Sequence, residues 1–95
     1  MKRGDFRAQA RVMKALANES RLLIVDRLGD GECSAGELTR LVDLDQSTVS
    51  KHLAVLRAQG IVDDRREGSV VFYRLAMPCV SRFFSCAAQA VRERK

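Results

Sequence analysis

Apolar residues recur at helical intervals over the first two thirds of this chain and shift to strand-like runs after Gly60. Phe6, Ala10, Met13 and Leu16–Ala17 lie on one side of a first amphipathic helix. Asn18–Ser20 supplies a break and a cap, and Arg21 to Leu28 continues as a second helix. Its Leu22-Leu23-Ile24-Val25 run is apolar nearly all round, which predicts the most buried helix of the fold. Gly29 and Gly31 end it. Ser34 and Glu37 form a Ser-x-x-Glu capping box that opens a short helix carrying Leu38, Leu41 and Val42. After Leu44, Asp45 caps a further helix that Gly60 closes, with Val49, Leu53 and Leu56 as its narrow buried stripe.

Beyond Gly60 the period changes. Ile61–Val62 and Val70 to Leu75 read as the two strands of a hairpin. Its expected tip is Arg66-Glu67-Gly68-Ser69, where Gly68 supplies a positive φ. Pro78 suits the first turn of a last helix, which carries Val80, Phe83–Phe84, Ala87 and Val91 on one side. Four helices, a hairpin and a closing helix give a mainly α fold with a small β-hairpin. This is the order of a winged helix-turn-helix with added helices at its N- and C-termini. With no repeat, low-complexity tract or linker, residues 1–95 are expected to form one domain.

The helix capped by Asp45 carries the chemistry. Opposite its apolar stripe, Gln46, Ser47, Ser50 and Lys51 cluster over the first turn and a half, with small Ala54 among them. An amide can read an adenine edge, hydroxyls reach bases or phosphates, and a helix N-terminus attracts phosphate. The bland alternative is a solvated face of ordinary polar residues. Arg65 and Arg66 stand beside the hairpin tip, where a wing reaches a phosphate or the minor groove. Thr48 lies farther round and is assigned to packing or backbone contact, and His52 flanks the apolar stripe as a packed or phosphate-contacting side chain rather than a metal ligand. Arg57 sits near the helix end, where it favours the dipole, and is left out of the site.

A net charge of +5 on 95 residues agrees with a nucleic-acid partner without requiring one. Asp30 to Asp45 is acidic, and Arg65 to Lys95 strongly basic. No apolar run marks a signal peptide or a membrane span, and three widely spaced cysteines are not a secreted disulfide framework. A cytoplasmic protein with reduced thiols is expected, with no membrane partner. One histidine, no glycine-rich phosphate loop, no paired carboxylates in an apolar setting and no Cys-x-x-Cys argue against an enzyme. A winged-helix module that binds another protein is the remaining alternative to one that binds double-stranded DNA.

From about Met13 to Leu75 the chain resembles the ArsR/SmtB family of bacterial winged-helix repressors. The likeness is carried by Ala15-Leu16-Ala17-Asn18-Glu19-Ser20-Arg21 and Gly36-Glu37-Leu38, and then by Gln46-Ser47-Thr48-Val49-Ser50-Lys51-His52-Leu53-Ala54-Val55-Leu56-Arg57. Gly60-Ile61-Val62, Arg65-Arg66-Glu67-Gly68 and Phe72-Tyr73-Arg74-Leu75 complete it. The resemblance implies a homodimeric repressor that releases its operator on sensing a metal, metalloid or redox signal. Phe6, Met13, Val80, Phe83, Phe84 and Ala87, on the terminal helices, are the expected dimer contacts; another reading packs those helices within one chain against Leu22–Val25, and different faces can serve both.

The signal is where the chain departs from that family. Its thiol box aligns with Glu32-Cys33-Ser34-Ala35-Gly36-Glu37-Leu38, so Ser34 and Gly36 replace both thiols. The places of its terminal-helix zinc site fall on Met77, Cys79, Ala90 and Glu93, which include no imidazole. Cys33, Cys79 and Cys86 remain as candidate ligands for a thiophilic metalloid such as arsenite, or as a disulfide or persulfide switch. Cys79 and Cys86 share a helix face but stand about 10 Å apart along it, so either needs Cys33 or a thiol from a second subunit. Against sensing stands a simpler reading, in which the cysteines are small packed residues and the inducer is read elsewhere.

Overall fold

The computed structural model describes residues 1–94. Its elements are α1 (Arg3–Leu16), α2 (Glu19–Leu28), β1 (Cys33–Ser34), α3 (Ala35–Val42), α4 (Gln46–Ala58), β2 (Val62–Glu67), β3 (Val70–Leu75) and α5 (Cys79–Glu93). Short polar side chains set the starts of α2, α3 and α4, because they satisfy backbone N–H groups that lack a partner in the first turn. Asn18 Oδ1 accepts from Arg21 N at 3.1 Å. Ser34 Oγ accepts from Glu37 N at 3.1 Å and donates to the Glu37 carboxylate at 3.0 Å. Between α3 and α4 the chain turns through Asp43 at φ 54°, a left-handed conformation that a short polar side chain tolerates. Gly60, at φ 72°, turns the chain from α4 into β2.

The core gathers one face from each element. Ile24 and Val25 of α2, Leu38 of α3, Val49, Leu53 and Leu56 of α4, and Ile61 and Val62 leading into the sheet are essentially inaccessible to solvent. The stripe expected on α4 therefore forms as spaced. As expected, α2 is the most buried of the helices, with Ile24, Val25 and Leu28 buried and Ser20, Arg21 and Arg27 half-buried among its ten residues, yet it is not buried all round. Its Ile24 and Val25 are fully buried, but Leu22 is 37% and Leu23 41% exposed. A helix packed against neighbours on one side cannot bury four consecutive residues, since they span its whole circumference. The outward pair instead lines an open apolar groove of about 1000 Å³ with Met13, Phe83, Phe84, Ala87 and Val91.

The sheet is antiparallel in the order β1-β3-β2, and its two-residue first strand was not foreseen. Cys33 pairs with Tyr73 and Ser34 with Phe72, so Ser34 both ends a strand and caps α3. Glu67 pairs with Val70, leaving Gly68 and Ser69 as the turn, with Gly68 at φ 62°. A positive φ at the first turn position is what a type II′ hairpin requires. The tip thus lies one residue beyond the expected place, and Arg66 sits within β2 opposite Val71.

Helix α5 meets the body through its beginning. Val80 is 7% exposed and belongs to the chain's own core, so it does not present a face to a second copy as expected. Phe84 packs at the edge of that core, whereas Phe6, Met13, Phe83 and Ala87 face outward. Gly29, at the end of α2, allows this close approach: a Cβ there would meet Ser81 Oγ at 2.9 Å and the Asp26 carbonyl at 3.1 Å.

Candidate nucleic-acid interface

Because the apolar stripe of α4 is locked into the core, its opposite side is held outward. Gln46, Ser47, Ser50 and Lys51 are all exposed there. Asp45 organises the start of this face. Its carboxylate accepts from Thr48 N at 2.7 Å, from Ser47 Oγ at 2.7 Å and from Thr48 Oγ1 at 3.0 Å. These hydrogen bonds, that from Ser47 foremost, lower the Asp45 pKa to about 2. The Ser47 hydroxyl is thereby oriented, with its lone pairs left to accept from an incoming donor.

Two bridges fix the tilt of α4. Arg57 Nε stands 3.2 Å from Asp64 Oδ1, tying the helix end to β2 and giving Arg57 a structural partner. Arg21 Nε donates to His52 Nδ1 at 3.1 Å while its NH1 group donates to the Ala15 carbonyl at 3.0 Å. The Arg21 side chain thus joins α1, α2 and α4. Burial, followed by the nearby Arg21 charge, lowers the His52 pKa. His52 is accordingly a neutral hydrogen-bond acceptor within the fold.

The two wing arginines have different surroundings. Residues alternate across a strand, and Arg66 shares a face with Val62 and Asp64, the face packed against α4. Tyr73 lies there too: burial raises its pKa, Asp64 adds to the rise, and Arg57 and Arg66 oppose it. Arg65 lies on the other face. It donates to both oxygens of Glu32 at 2.8 and 2.6 Å and to Glu67 at 2.7 Å, with its guanidinium carbon 4.5 Å from the centre of the Phe72 ring. These carboxylates raise the Arg65 pKa, and Arg65 lowers that of Glu32.

The three thiols do not come together. Cys33 is buried against the sheet, and desolvation raises its pKa, which keeps it as a thiol. Cys79 and Cys86 are exposed on α5. Among the described residues no group of three or more His, Cys, Asp or Glu side chains is placed to hold a metal ion. No helix among them is long and apolar enough to cross a membrane.

A helix whose polar face is held outward beside a three-stranded wing defines a winged helix-turn-helix. Comparison with known proteins supplies the family. The model of bacterial regulatory proteins of the arsR family matches residues 18–64. The chain is 49% identical over 65 residues to the biofilm growth-associated repressor of Agrobacterium fabrum, a match covering 68% of this chain and 56% of that protein. It is equally 49% identical over 65 residues to the transcriptional activator HlyU of Vibrio cholerae, covering 68% of this chain and 60% of that one. The matched stretch is therefore less than two thirds of either relative. The solved structure of HlyU superimposes with a TM-score of 0.82 at 38% identity, over 95% of this chain and 97% of that one. A homodimeric winged helix-turn-helix DNA-binding domain from Mycobacterium bovis gives a TM-score of 0.84 at 35% identity, over 96% and 84% of the two chains. The chain belongs to the ArsR family. These relatives are transcriptional regulators or possible regulators by name, none of them an enzyme.

Proposed function

We propose that this protein is a homodimeric transcriptional repressor that reads double-stranded operator DNA with α4 and its wing. The outward row Gln46, Ser47, Ser50 and Lys51, backed by a stripe fixed in the core, carries this reading. The groove between α1, α2 and α5 supports the dimer, because a contiguous apolar surface of this kind is covered in a stable protein. Two copies related by a twofold axis would set two α4 helices into half-sites about one DNA turn apart, or a multiple of it. The named relatives include both a repressor and an activator. Selecting genomic fragments on the purified protein, then transcribing them in vitro with and without it, tests binding and sign together. Retained fragments with palindromic half-sites and reduced transcription are expected; no retained sequence, or higher transcription, contradicts the reading.

For the signal, the exposure of Cys79 and Cys86 favours a thiophilic metalloid or a thiol oxidation at α5. Buried Cys33 is left out of that site. The two are about 10 Å apart along the helix, so each would join a thiol of the second copy. Operator release by arsenite or a sulfane-sulfur donor should disappear in the Cys79→Ser, Cys86→Ser protein and persist in Cys33→Ser. Unchanged release by the double variant removes the thiols from the signal.

A further inference from the structure

We propose that Arg65 is a positioning residue of the wing rather than one of its DNA contacts, held across the outer face of the sheet so that Arg66 presents the wing's cation to the duplex. This role rests on the DNA-reading function proposed above.

The path of the side chain carries the argument. Arg65 starts on β2, crosses the ring of Phe72 on β3 at 4.5 Å, and ends on Glu32, the residue before β1. One side chain therefore reaches from β2 across β3 to the residue that leads into β1. Lone ion pairs at a surface contribute little. Here both Glu32 oxygens are engaged in a fork, Glu67 takes the remaining nitrogen at 2.7 Å, and the guanidinium plane has a ring to lie on. Planar bidentate pairing and stacking are the properties that separate arginine from lysine.

Charge points the same way. One guanidinium against two carboxylates leaves the cluster net negative, so a phosphate approaching the outer face meets repulsion. To take a phosphate, Arg65 would have to release Glu32 or Glu67. The neighbouring Arg74–Asp63 pair, at 2.9 Å, makes this face no more basic. Arg66 stands on the opposite face, the side of β2 that also carries Asp64, and forms no ion pair among the described residues. The acids thus direct the wing: they commit one arginine of an adjacent pair to the sheet and leave the other for the nucleic acid.

Salt dependence separates the two roles, since removing one phosphate-binding cation reduces the slope of log affinity against log salt by about 0.9. The full chain would be titrated on its selected operator as wild type and as Arg66→Gln, Arg66→Lys, Arg65→Gln and Arg65→Lys. Arg66→Gln removes one such cation from each protomer of the dimer and is expected to reduce the slope by about 1.8, and Arg66→Lys to restore it. Arg65→Gln and Arg65→Lys should both lower affinity by one similar factor at every salt concentration, with the wild-type slope. As a direct signature, the Arg65 Nε–H resonance should be sharp in the free protein, keep its position when DNA is added, and broaden in Glu32→Gln. A slope reduction in Arg65→Gln that lysine restores, or an Arg65 resonance that moves on DNA addition, overturns the proposal. A wild type that shows the sharp resonance yet binds no DNA at low salt refutes the DNA-reading function, and this role with it.

Discussion

Arg21 and His52 are joined by a 3.1 Å hydrogen bond in which the imidazole is the acceptor, so Nδ1 carries no proton in the folded chain. Protonating it would remove the acceptor and set an imidazolium against a guanidinium. The His52 pKa is lowered on folding, so the unfolded chain binds the proton more readily. Stability from this contact is full above about pH 6.5, the unfolded value, and declines as pH falls from there toward the depressed folded value. Wild type should lose melting temperature in that window relative to His52→Asn, whose amide oxygen accepts without titrating. Since the chain has one histidine, the difference between the two melting curves isolates this group. Parallel curves across the window count against it.

Asp45 titrates in a lower window. Its pKa in the folded state is about 2, against an ordinary 3.8. Its contribution to the start of α4 is therefore complete above the ordinary carboxyl range and is lost as pH falls through about 2. Carbon-detected titration of the Asp45 carboxyl checks this, and a midpoint near 4 contradicts it. Asp45→Asn keeps a side-chain acceptor and should preserve α4 while removing the acid dependence.

Gln46 and Lys51 should differ in how they fail. Lys51→Ala is expected to weaken DNA binding across all sequences and flatten its salt slope. Gln46→Ala should cost about 1–3 kcal/mol on the preferred site and relax the preference at one base pair. Footprints unchanged in both variants remove α4 as the reading element.

The groove beside α5 makes the dimer testable apart from the fold. Leu23→Glu and Phe83→Asp place charge on outward positions and should convert a dimer to folded monomers in sedimentation. Val80→Asp places charge in the chain's own core at a cost of several kcal/mol, and should unfold it instead. Wild-type sedimentation as a monomer at micromolar concentration contradicts the dimer.

Where α2 meets α5, Gly29→Ala should destabilise by about 1–3 kcal/mol, because the added Cβ crowds Ser81 Oγ and a backbone carbonyl. Ser81 Oγ is buried with no hydrogen-bond partner among the described residues. Ser81→Ala should therefore be neutral or stabilising by up to about 1 kcal/mol, and should partly rescue Gly29→Ala. Denaturant melts of the four combinations provide the check.

Features that depend on local spacing were legible in the sequence. The Asp45 and Ser34 caps, the Val49–Leu53–Leu56 stripe and the positive φ of Gly68 each follow from a few neighbouring residues. Features set by distant partners were not. Strand β1 is two residues long and exists because β3, almost forty positions later, offers it an edge. Leu22 and Leu23 read as core because an apolar run does not reveal which side of a helix lacks a neighbour. Arg65 and Arg66 looked equivalent as an adjacent basic pair. Strand alternation and Glu32, thirty-three positions earlier, make them different. The thiols showed the same limit, since separation along the chain did not tell that Cys33 is buried within β1 while Cys79 and Cys86 stand in solvent.

Ser34 is at once the last residue of β1 and the cap of α3. No free hinge therefore separates the sheet from the helix-turn-helix: a rotation of α3 and α4 drags β3, and the hairpin swings with it. Within the chain the wing and α4 keep a set angle, like two prongs of one casting. In the proposed dimer, any tuning of fit to a duplex would then fall to the spacing between protomers, set at the groove of α1, α2 and α5, well away from the surfaces that would touch the bases.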